Sequence, residues 1–395
     1  MAAPLGFKTF ATGDVLTAAD TNGYLMQGVW TFASAAARDA AVTSPQEGNF
    51  CFLKDTNVTQ YYDGAAWTPV VSTSGNTFYA GKNKVINGAL NVWQRGTTFT
   101  NIGAGSYCAD RFIETHDGTG LATVTQQTFT PGTAPVAGYE GSFFLRDALT
   151  VTGTSTYIQV NNRIEDVRSF AGQTVTLSFW AKADSARTSL VYVSQNFGSG
   201  GSGAVFGSTP AITYSTAWQR FSFTLSMASI AGKTIGTGSF LEIGIRSTAT
   251  SGSVLDIWGL QLEAGSTATD FQTASGSLGG ELALCQRYYF RNGPGIVYGS
   301  YGIGIANSTT ICYGQIFLPV TMRTAPTAID FSTLGLYDAT TPTAVTSASI
   351  GGGIVSSPNV AQISLNVAAG LVQYRPYQIT NLNSSSGYIG FSAEL

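Results

Sequence analysis

Residues 174–180 decide the fold, and they read Thr-Val-Thr-Leu-Ser-Phe-Trp. Val175, Leu177 and Phe179 lie on one face when this stretch is extended, and hydroxyl-bearing residues separate them. Residues 218–225, Trp-Gln-Arg-Phe-Ser-Phe-Thr-Leu, show the same alternation. A period of two residues predicts β-strands that bury one face and leave the other polar.

Short strands of this kind recur along residues 81–275, with turn residues between them and no long helical periodicity. Many short, evenly spaced strands with one apolar face are typical of two antiparallel sheets packed as a sandwich. We therefore predict a mainly β chain with a β-sandwich at its centre. The further strands that support this prediction are residues 157–160, 189–194, 240–245 and 254–262.

Two smaller regions flank the predicted sandwich. Residues 1–80 form a small α+β module, in which Thr17 caps a helix that continues to Met26 and Ser34 caps a helix over residues 35–41. A β-meander follows between residues 49 and 71, and the polar stretch at 72–77 is typical of a linker. Residues 276–395 again contain short strands and are predicted to form a second, C-terminal β-sandwich. The predicted domains are therefore 1–80, 81–275 and 276–395.

The composition excludes several classes of protein. Only 10% of the 395 residues are charged, against about 25% in a typical soluble protein. No apolar run approaches the roughly 18 residues that a membrane span needs, and with 12% aromatic residues the chain is not of the disordered class. A formal net charge of −3 offers no basic surface for nucleic acid. The four cysteines are far apart along the chain, which favours reduced, buried thiols.

The shortage of charge is concentrated at the carboxy-terminal end. Residues 296–395 contain five charged side chains, which are Arg323, Asp330, Asp338, Arg375 and Glu394. A monomer of ordinary surface composition carries many more. We therefore expect an obligate oligomer in which copies of this region cover one another.

Exposed aromatic residues are the first candidates for ligand contacts. Trp180 is out of phase with the core residues of its strand, and Trp218 shares the outer face of its strand with Arg220. Aromatic rings that face a groove can stack on the apolar faces of sugars. The alternative is that both tryptophans pack beneath loops or against a neighbouring domain. We therefore predict Trp180, Trp218 and Arg220 as candidate ligand-binding residues.

The carboxy-terminal region offers a second group of candidates. Tyr288, Tyr298 and Tyr301 belong to a tyrosine-rich, almost uncharged set, and tyrosine supplies rigid amphipathic contact area. We predict a receptor-binding tip there, with a subunit interface as the equal alternative.

Catalytic patterns receive no support from the sequence. His116 is the single histidine, and its position beside turn residues favours a structural role over a Ser/His/Asp triad. Paired carboxylates such as Asp110 with Glu114 are available for glycan cleavage, whereas Glu165 and Asp166 would face opposite sides of a strand. We predict that the protein is not an enzyme and has no catalytic or metal site.

Several motifs carry a family resemblance. Residues 85–97, Val-Ile-Asn-Gly-Ala-Leu-Asn-Val-Trp-Gln-Arg-Gly-Thr, followed by Tyr-Cys-Ala-Asp-Arg-Phe at 107–112, resemble the opening of a jelly-roll domain common in bacteriophage tail fibres and minor tail proteins. Residues 257–271 are similar to the closing strand of that domain, and residues 281–289, 318–326 and 391–395 are similar to the C-terminal domain that often follows it. The first 71 residues resemble the amino-terminal module of phage minor tail proteins.

The resemblance implies a function. It implies a phage tail fibre or minor tail protein that acts at the outer surface of the bacterial host, where a carbohydrate-binding-like jelly roll attaches non-covalently to surface polysaccharide. The amino-terminal module would join other virion tail proteins, and the chain would form a homotrimer. No nucleic acid and no membrane insertion are expected. The alternatives are a purely structural fibre or capsid decoration protein without a ligand, and a glycan-degrading enzyme.

The resemblance also bears on cofactors and on the role of the motif residues. No cofactor is expected, although jelly rolls often carry a structural calcium ion, for which Glu263 at the end of the closing strand is the candidate ligand. Gln94-Arg95 and Asp110-Arg111 are predicted to form a buried polar network that ties the first strands together.

Overall fold

The computed structural model describes residues 11–21, 28–70, 80–136, 139–208, 211–250, 252–293, 295–352 and 355–395. The chain divides into two compact units, Met1–Thr77 and Phe78–Leu395. The predicted linker at 72–77 and the second half of the helix predicted to reach Met26 lie outside the described residues. No helix of the described ranges is long and apolar enough to cross a membrane.

The first unit is a small α+β fold. Its elements are α1 (Ala18–Asp20), β1 (Val29–Phe32), α2 (Ala35–Ala41), β2 (Phe50–Leu53), β3 (Val58–Tyr62) and β4 (Trp67–Pro69). Strand β1 runs parallel to β2, and β2, β3 and β4 follow as an antiparallel meander. The predicted caps are confirmed, because the side chains of Thr17 and Ser34 accept hydrogen bonds from the backbone N–H groups of Asp20 and Ala37.

Two six-stranded antiparallel sheets form the sandwich at the start of the second unit. The sheet that we call the front sheet has the order β14-β13-β17-β10-β7-β6, and the back sheet has the order β16-β11-β18-β9-β8-β5. β12 (Arg187–Ser189) and β15 (Ile212–Tyr214) pair with each other in a separate two-stranded sheet. The twelve strands of the two large sheets are β5 (Thr98–Ile102), β6 (Ser106–Tyr107), β7 (Phe112–His116), β8 (Leu121–Thr128), β9 (Phe143–Val151), β10 (Tyr157–Glu165), β11 (Thr174–Ala183), β13 (Val191–Asn196), β14 (Val205–Ser208), β16 (Gln219–Ser226), β17 (Phe240–Thr248) and β18 (Val254–Ala264).

The structure confirms the sandwich that the alternation of apolar residues predicted. From β10 onward, β10, the pair β13–β14 and β17 belong to the front sheet, and β11, β16 and β18 belong to the back sheet. The chain therefore crosses repeatedly between the two sheets, as in a jelly roll. Val175, Leu177 and Phe179 on β11 are fully buried in the core between the sheets. All four cysteines are buried and unpaired, as predicted.

A bulge at Gly259 shapes the outer face of the back sheet. The register of β11 against β18 shifts between Ser178 and Trp180, and Gly259 has a φ of +67°. A side chain at this glycine would meet the Trp180 ring at 2.7 Å. The bulge therefore lets Trp180 and Trp258 pack together, with ring centroids 5.3 Å apart.

The C-terminal strands close on themselves. Strands β19, β27 and β22 form a three-stranded sheet, whereas β20-β21-β25-β24-β23-β26 form a closed barrel that shares one hydrophobic core with it. The region predicted as a second sandwich is thus β as expected, but β26 pairs with both β20 and β23, and this closure removes the free edges of an open sheet. The elements are α3 (Leu278–Gln286), β19 (Tyr289–Asn292), β20 (Ser300–Ala306), β21 (Ile311–Phe317), β22 (Ala328–Ser332), β23 (Gly335–Tyr337), β24 (Thr343–Ile350), β25 (Val360–Val367), β26 (Pro376–Thr380) and β27 (Tyr388–Ser392).

Polar side chains join the sandwich to this C-terminal part. Arg95 and Arg111 both pair with Glu394, which is almost fully buried. Asp110 accepts hydrogen bonds from the backbone and the side-chain amide of Gln94, both at 2.6 Å. The predicted network of the two motifs is confirmed, and it reaches further than the first strands. The division of residues 78–395 into two domains stays a prediction.

Candidate functional site

A cleft of about 590 Å³ lies on the outer face of the front sheet. We call it the front cleft. A neighbouring depression of about 280 Å³ continues it past Tyr157, Leu190 and Arg246, which line both, so an extended groove crosses the sheet. The front cleft is lined by Gly105, Tyr107, Ile113, Thr115, Tyr157, Gln159, Asn161, Arg163, Leu190, Val191, Tyr192, Phe206, Glu242 and Arg246.

Strand β10 supplies the floor of the front cleft through its alternation. Ile158, Val160 and Ile164 point into the sandwich core. The odd-numbered residues belong to the opposite face, and four of these, Tyr157, Gln159, Asn161 and Arg163, line the cleft. One strand therefore holds the core with one face and presents a row of aromatic, amide and guanidinium groups with the other.

Hydrogen bonds fix the polar groups of this floor in place. Gln159 Nε2 donates to Asn161 Oδ1 at 2.6 Å and to the Tyr192 hydroxyl at 2.8 Å. Asn161 Nδ2 donates to the Thr115 hydroxyl at 3.2 Å, and Arg246 Nε donates to Gln159 Oε1 at 3.0 Å. Side chains from β7, β10, β13 and β17 are thus joined before any ligand arrives.

An ion pair and a protonated phenol complete the network. Arg163 Nε lies 2.9 Å from Glu242 Oε2, and Arg163 also donates to the Leu395 carbonyl oxygen. Burial, with the Glu242 charge acting in the same direction, raises the pKa of Tyr192 to about 12. The Tyr192 phenol therefore stays protonated at neutral pH and donates to Glu242 Oε1 at 3.3 Å.

Aromatic rings form the wall of the front cleft. Phe206 is 66% exposed and meets Tyr192 edge to face, with the centroids 5.7 Å apart. The Tyr192 ring lies over Gly244, where a Cβ atom would come within 2.3 Å of it. Glycine is therefore needed in the middle of β17 for close approach of the ring. At the other end of the cleft, Arg246 stacks on Tyr157 with its guanidinium carbon 3.6 Å from the ring centroid.

The predicted tryptophan site lies on the opposite side of the sandwich. Trp180 is 4% exposed and packs in an aromatic cluster on the outer face of the back sheet, beneath Phe271. Trp218 is half-buried against Phe144, with centroids 5.2 Å apart. Arg220 is exposed, with its guanidinium carbon 4.8 Å from the Trp180 ring centroid.

The alternation correctly assigned Trp180 to the outer face of its strand. It did not show that loops cover that face, so the alternative of packing beneath loops holds for Trp180.

The three candidate tyrosines do not form one surface. Tyr288 is buried at the junction, where its hydroxyl donates to Glu165 at 2.8 Å and Arg111 stacks on its ring. Tyr301 is buried in the barrel core, whereas Tyr298 is 47% exposed. Because Tyr288 and Tyr301 are buried, Tyr298 is the one of these three rings that is exposed at the surface of the C-terminal part. A ligand role for any of the six candidates stays a prediction.

The lone histidine and its neighbours lie inside the sandwich. His116 Nδ1 is 2.8 Å from Glu114 Oε1, and both side chains point into the core, as does Asp147 from the back sheet. Burial raises the pKa of Glu114 to about 8, and burial together with the Glu114 charge raises the pKa of Asp147. These carboxyls have no path to a substrate while the core is closed.

The surroundings of Glu263 do not fit a calcium ion. Its carboxylate is fully buried and accepts hydrogen bonds from the Thr269 backbone at 2.9 Å, the Thr269 hydroxyl at 2.7 Å and Gln261 Nε2 at 2.8 Å. Lys82 Nζ lies 3.5 Å away. These neighbours are donors and a cation, whereas calcium needs several further oxygen ligands. In the described part of the chain no group of three or more acidic, histidine or cysteine side chains could hold a metal ion.

Comparisons with known proteins identify no family. No family model and no curated protein matches the chain. Among solved structures it is similar to the enzymatically active domain of bacteriophage CBA120 tailspike protein 4, at 16% identity over 47% of this chain, with a TM-score of 0.30. This chain spans only 22% of that tailspike chain.

Carbohydrate-binding modules also appear among the similar solved structures. A family 11 module from Clostridium thermocellum, in complex with a mixed-linked tetrasaccharide, is 10% identical over 44% of this chain and 98% of its own length, with a TM-score of 0.28. The C-terminal family 22 module of Clostridium thermocellum Xyn10B is 16% identical over 46% of this chain and all of its own length, with a TM-score of 0.29.

Proposed function

We propose that the front cleft binds a glycan. The observation that carries this proposal is the combination of rings and hydrogen-bonding groups along one open groove. Phe206, Tyr192 and Tyr157 offer apolar ring surface for the C–H faces of sugars, and the amides of Gln159 and Asn161 lie between them. The depression that continues the cleft suits an extended chain of sugars.

The polar side chains of the cleft floor are held in place before a ligand binds, which favours binding without rearrangement. Gln159 and Asn161 are nearly fully buried and already hydrogen-bonded, so little side-chain entropy remains to be lost when a ligand docks. Sugar hydroxyls can both donate and accept hydrogen bonds, and the cleft offers amides and a guanidinium group within the same floor.

We further propose that the protein is a bacteriophage tail fibre or minor tail protein that attaches to host-surface polysaccharide. The motifs at 85–97 and 107–112 support this role, and the first unit would join other tail proteins of the virion. A single sugar site binds weakly, around millimolar or about 4 kcal/mol. Several sites on one particle would supply useful adhesion.

The proposed oligomer is a homotrimer formed through the barrel. Ile303 and Ile305 of β20 and Phe317 of β21 point outward and are 64%, 56% and 76% exposed. The residues paired with Ile303 on the neighbouring strands are the uncharged Gln315 and Gln378. An apolar face bordered by amides favours burial against a second copy.

Light scattering on the purified chain tests the oligomer. A mass of three chains is expected, and Phe317→Asp should reduce it, whereas Val151→Asp, an equally drastic change at an exposed valine of the sandwich, should not. A stable monomer of 41.3 kDa would contradict the proposal.

We propose that the protein binds the glycan without a cofactor and does not cleave it. The only described carboxyls with a strongly raised pKa, Glu114 and Asp147, face the closed core, which supports this part of the proposal. Incubation with host polysaccharide should release no new reducing ends. Their appearance would favour a glycan-degrading enzyme.

A glycan array and whole host cells test the adhesion. The intact oligomer should bind, and Phe206→Ala should weaken binding roughly fivefold because a stacked ring contributes on the order of 1 kcal/mol. Tyr374→Ala is the matched control, since this ring is also exposed but lies in the C-terminal part and is not a ligand candidate.

Failure to bind any host envelope fraction would leave a purely structural fibre or a capsid decoration protein. Antibody labelling of particles separates these two, because label at the tail supports a fibre and label on the head supports decoration.

A further inference from the structure

The front cleft contains more cationic than anionic groups. Its lining includes the two guanidinium groups of Arg163 and Arg246 and one carboxylate, Glu242. The carboxylate is committed, because both of its oxygens accept hydrogen bonds, Oε2 from Arg163 and Oε1 from Tyr192. Arg163 is neutralised by this pair, whereas Arg246 has no carboxylate partner among the described residues.

The two Nη atoms of the Arg246 guanidinium group are available to a ligand in the groove. Its Nε atom is held by Gln159, and the face of its guanidinium group rests on Tyr157. The two Nη atoms have no hydrogen-bond partner within the described ranges. Each of the other arginines has at least one Nη atom bonded to a carboxylate, an amide or a backbone oxygen there, for example Arg220 to the Thr269 carbonyl and Arg291 to the Arg95 carbonyl.

A guanidinium group that is held in one orientation, with its Nη atoms unbonded, is suited to bind an anion. A guanidinium group presents its N–H donors in a planar fork that matches two oxygens of a carboxylate, sulfate or phosphate. Stacking on Tyr157 and the bond to Gln159 hold the fork in one direction, so that less entropy is lost when the anion binds. The chain as a whole carries a formal charge of −3. The positive charge of Arg246 in the groove is therefore a local feature and does not reflect a general excess of basic residues.

We propose that the front cleft selects an acidic glycan, and that Arg246 binds the oxyanion of one of its sugars. This inference rests on the proposed glycan binding and adds the chemical class of the ligand. The anion would lie where the front cleft passes into the neighbouring depression, since Arg246 lines both. The sugar rings on either side would contact Phe206 and Tyr192 in one direction and Leu190 in the other.

Matched pairs of acidic and neutral glycans test the selection. The intact oligomer is applied to an array that carries oligogalacturonate beside its methyl ester, and sulfated and phosphorylated oligosaccharides beside their unsubstituted parents. At least one acidic member should bind about tenfold or more tightly than its neutral partner, because a charge-assisted hydrogen bond is worth about 1.5–3 kcal/mol. The arms of the array show whether the anion is carboxylate, sulfate or phosphate.

Variants assign the selection to one residue. Arg246→Gln should abolish the difference between the acidic and neutral partners, and Arg246→Lys should retain part of it through the charge alone. Arg168→Gln is the control, because Arg168 is exposed, pairs with Asp166 and does not line the cleft. Circular dichroism melting checks that each variant is folded, and added salt should weaken binding of the acidic member by wild type but not by Arg246→Gln.

The outcomes separate this inference from the proposed function. Equal binding of acidic and neutral partners, or retained discrimination in Arg246→Gln, would overturn the inference and leave glycan binding intact. Binding to no member of the array and to no host polysaccharide would overturn both.

Discussion

Replacing Glu114 by glutamine should remove a loss of stability that the wild-type chain suffers as the pH rises from 5 to 8. Glu114 on the front sheet and Asp147 on the back sheet are fully buried in the sandwich core. Glu114 Oε2 and both carboxyl oxygens of Asp147 have no hydrogen-bond partner in the described part of the chain. Burial disfavours the charged form of the carboxyl, so the folded chain holds a proton on Glu114.

The direction and size of the effect follow from the pKa of Glu114. Burial raises it from 4.5 to about 8, so below pH 4.5 the group is protonated in both states and stability is unaffected. Between these values the unfolded chain loses the proton while the folded chain keeps it, and the free energy of unfolding falls as the pH rises. At about 1.36 kcal/mol per unit, the interval from pH 5 to pH 8 is worth on the order of 4 kcal/mol.

Urea unfolding at pH 5 and pH 8, followed by tryptophan fluorescence, measures the effect. Glutamine keeps the shape of the side chain and the contact with His116 but cannot ionise. The variant should therefore gain several kcal/mol on the wild type at pH 8 compared with pH 5. Glu140→Gln, at an exposed carboxyl, is the control and should show no such gain. An equal difference between variant and wild type at both pH values would refute the reasoning.

Three further predictions concern packing and assembly. Gly244→Ala should displace the Tyr192 ring, lower stability by roughly 1–3 kcal/mol and weaken glycan binding, as measured by thermal melting and array binding. Trp180→Ala should cost about 3–5 kcal/mol of stability, measured by urea unfolding, and leave glycan binding below its melting temperature unchanged, because the ring is buried on the opposite sheet. Ile305→Asp should lower the mass found by light scattering, because a charge on the exposed face of β20 opposes burial against a second copy.

Local pattern was enough to predict the strands and the inner face of the sandwich. Period-two alternation depends only on neighbours in the chain, so Val175, Leu177 and Phe179 could be assigned to the core from residues 174–180 alone. Alternation does not show that Trp180 is buried on the outer face, because the residues that cover this face come from distant parts of the chain. It also fails to distinguish a sandwich from a barrel, since the closing pair of β26 with β20 joins residues about 75 positions apart.

The front cleft could not be predicted from local pattern, although one signal was present. Tyr157, Gln159, Asn161 and Arg163 alternate with core residues, and this row of large polar and aromatic side chains is the face of β10 that lines the cleft. Only the order of the front sheet shows that β13 and β17 lie beside this row. Tyr192 and Arg246 reach the cleft through that order, which is a property of long-range pairing.

The two arginines of the family-resemblance motifs, Arg95 and Arg111, act on the front cleft without lining it. Arg95 and Arg111 hold Glu394 in the junction, and the next residue, Leu395, accepts a hydrogen bond from Arg163 at the end of the cleft. Removing one partner of a buried ion pair is strongly destabilising, so this connection keeps the cleft and the barrel in a fixed relation. If copies of the barrel assemble, their clefts face fixed directions, and the gain from multivalency then depends on how sugars are spaced on the surface that they meet.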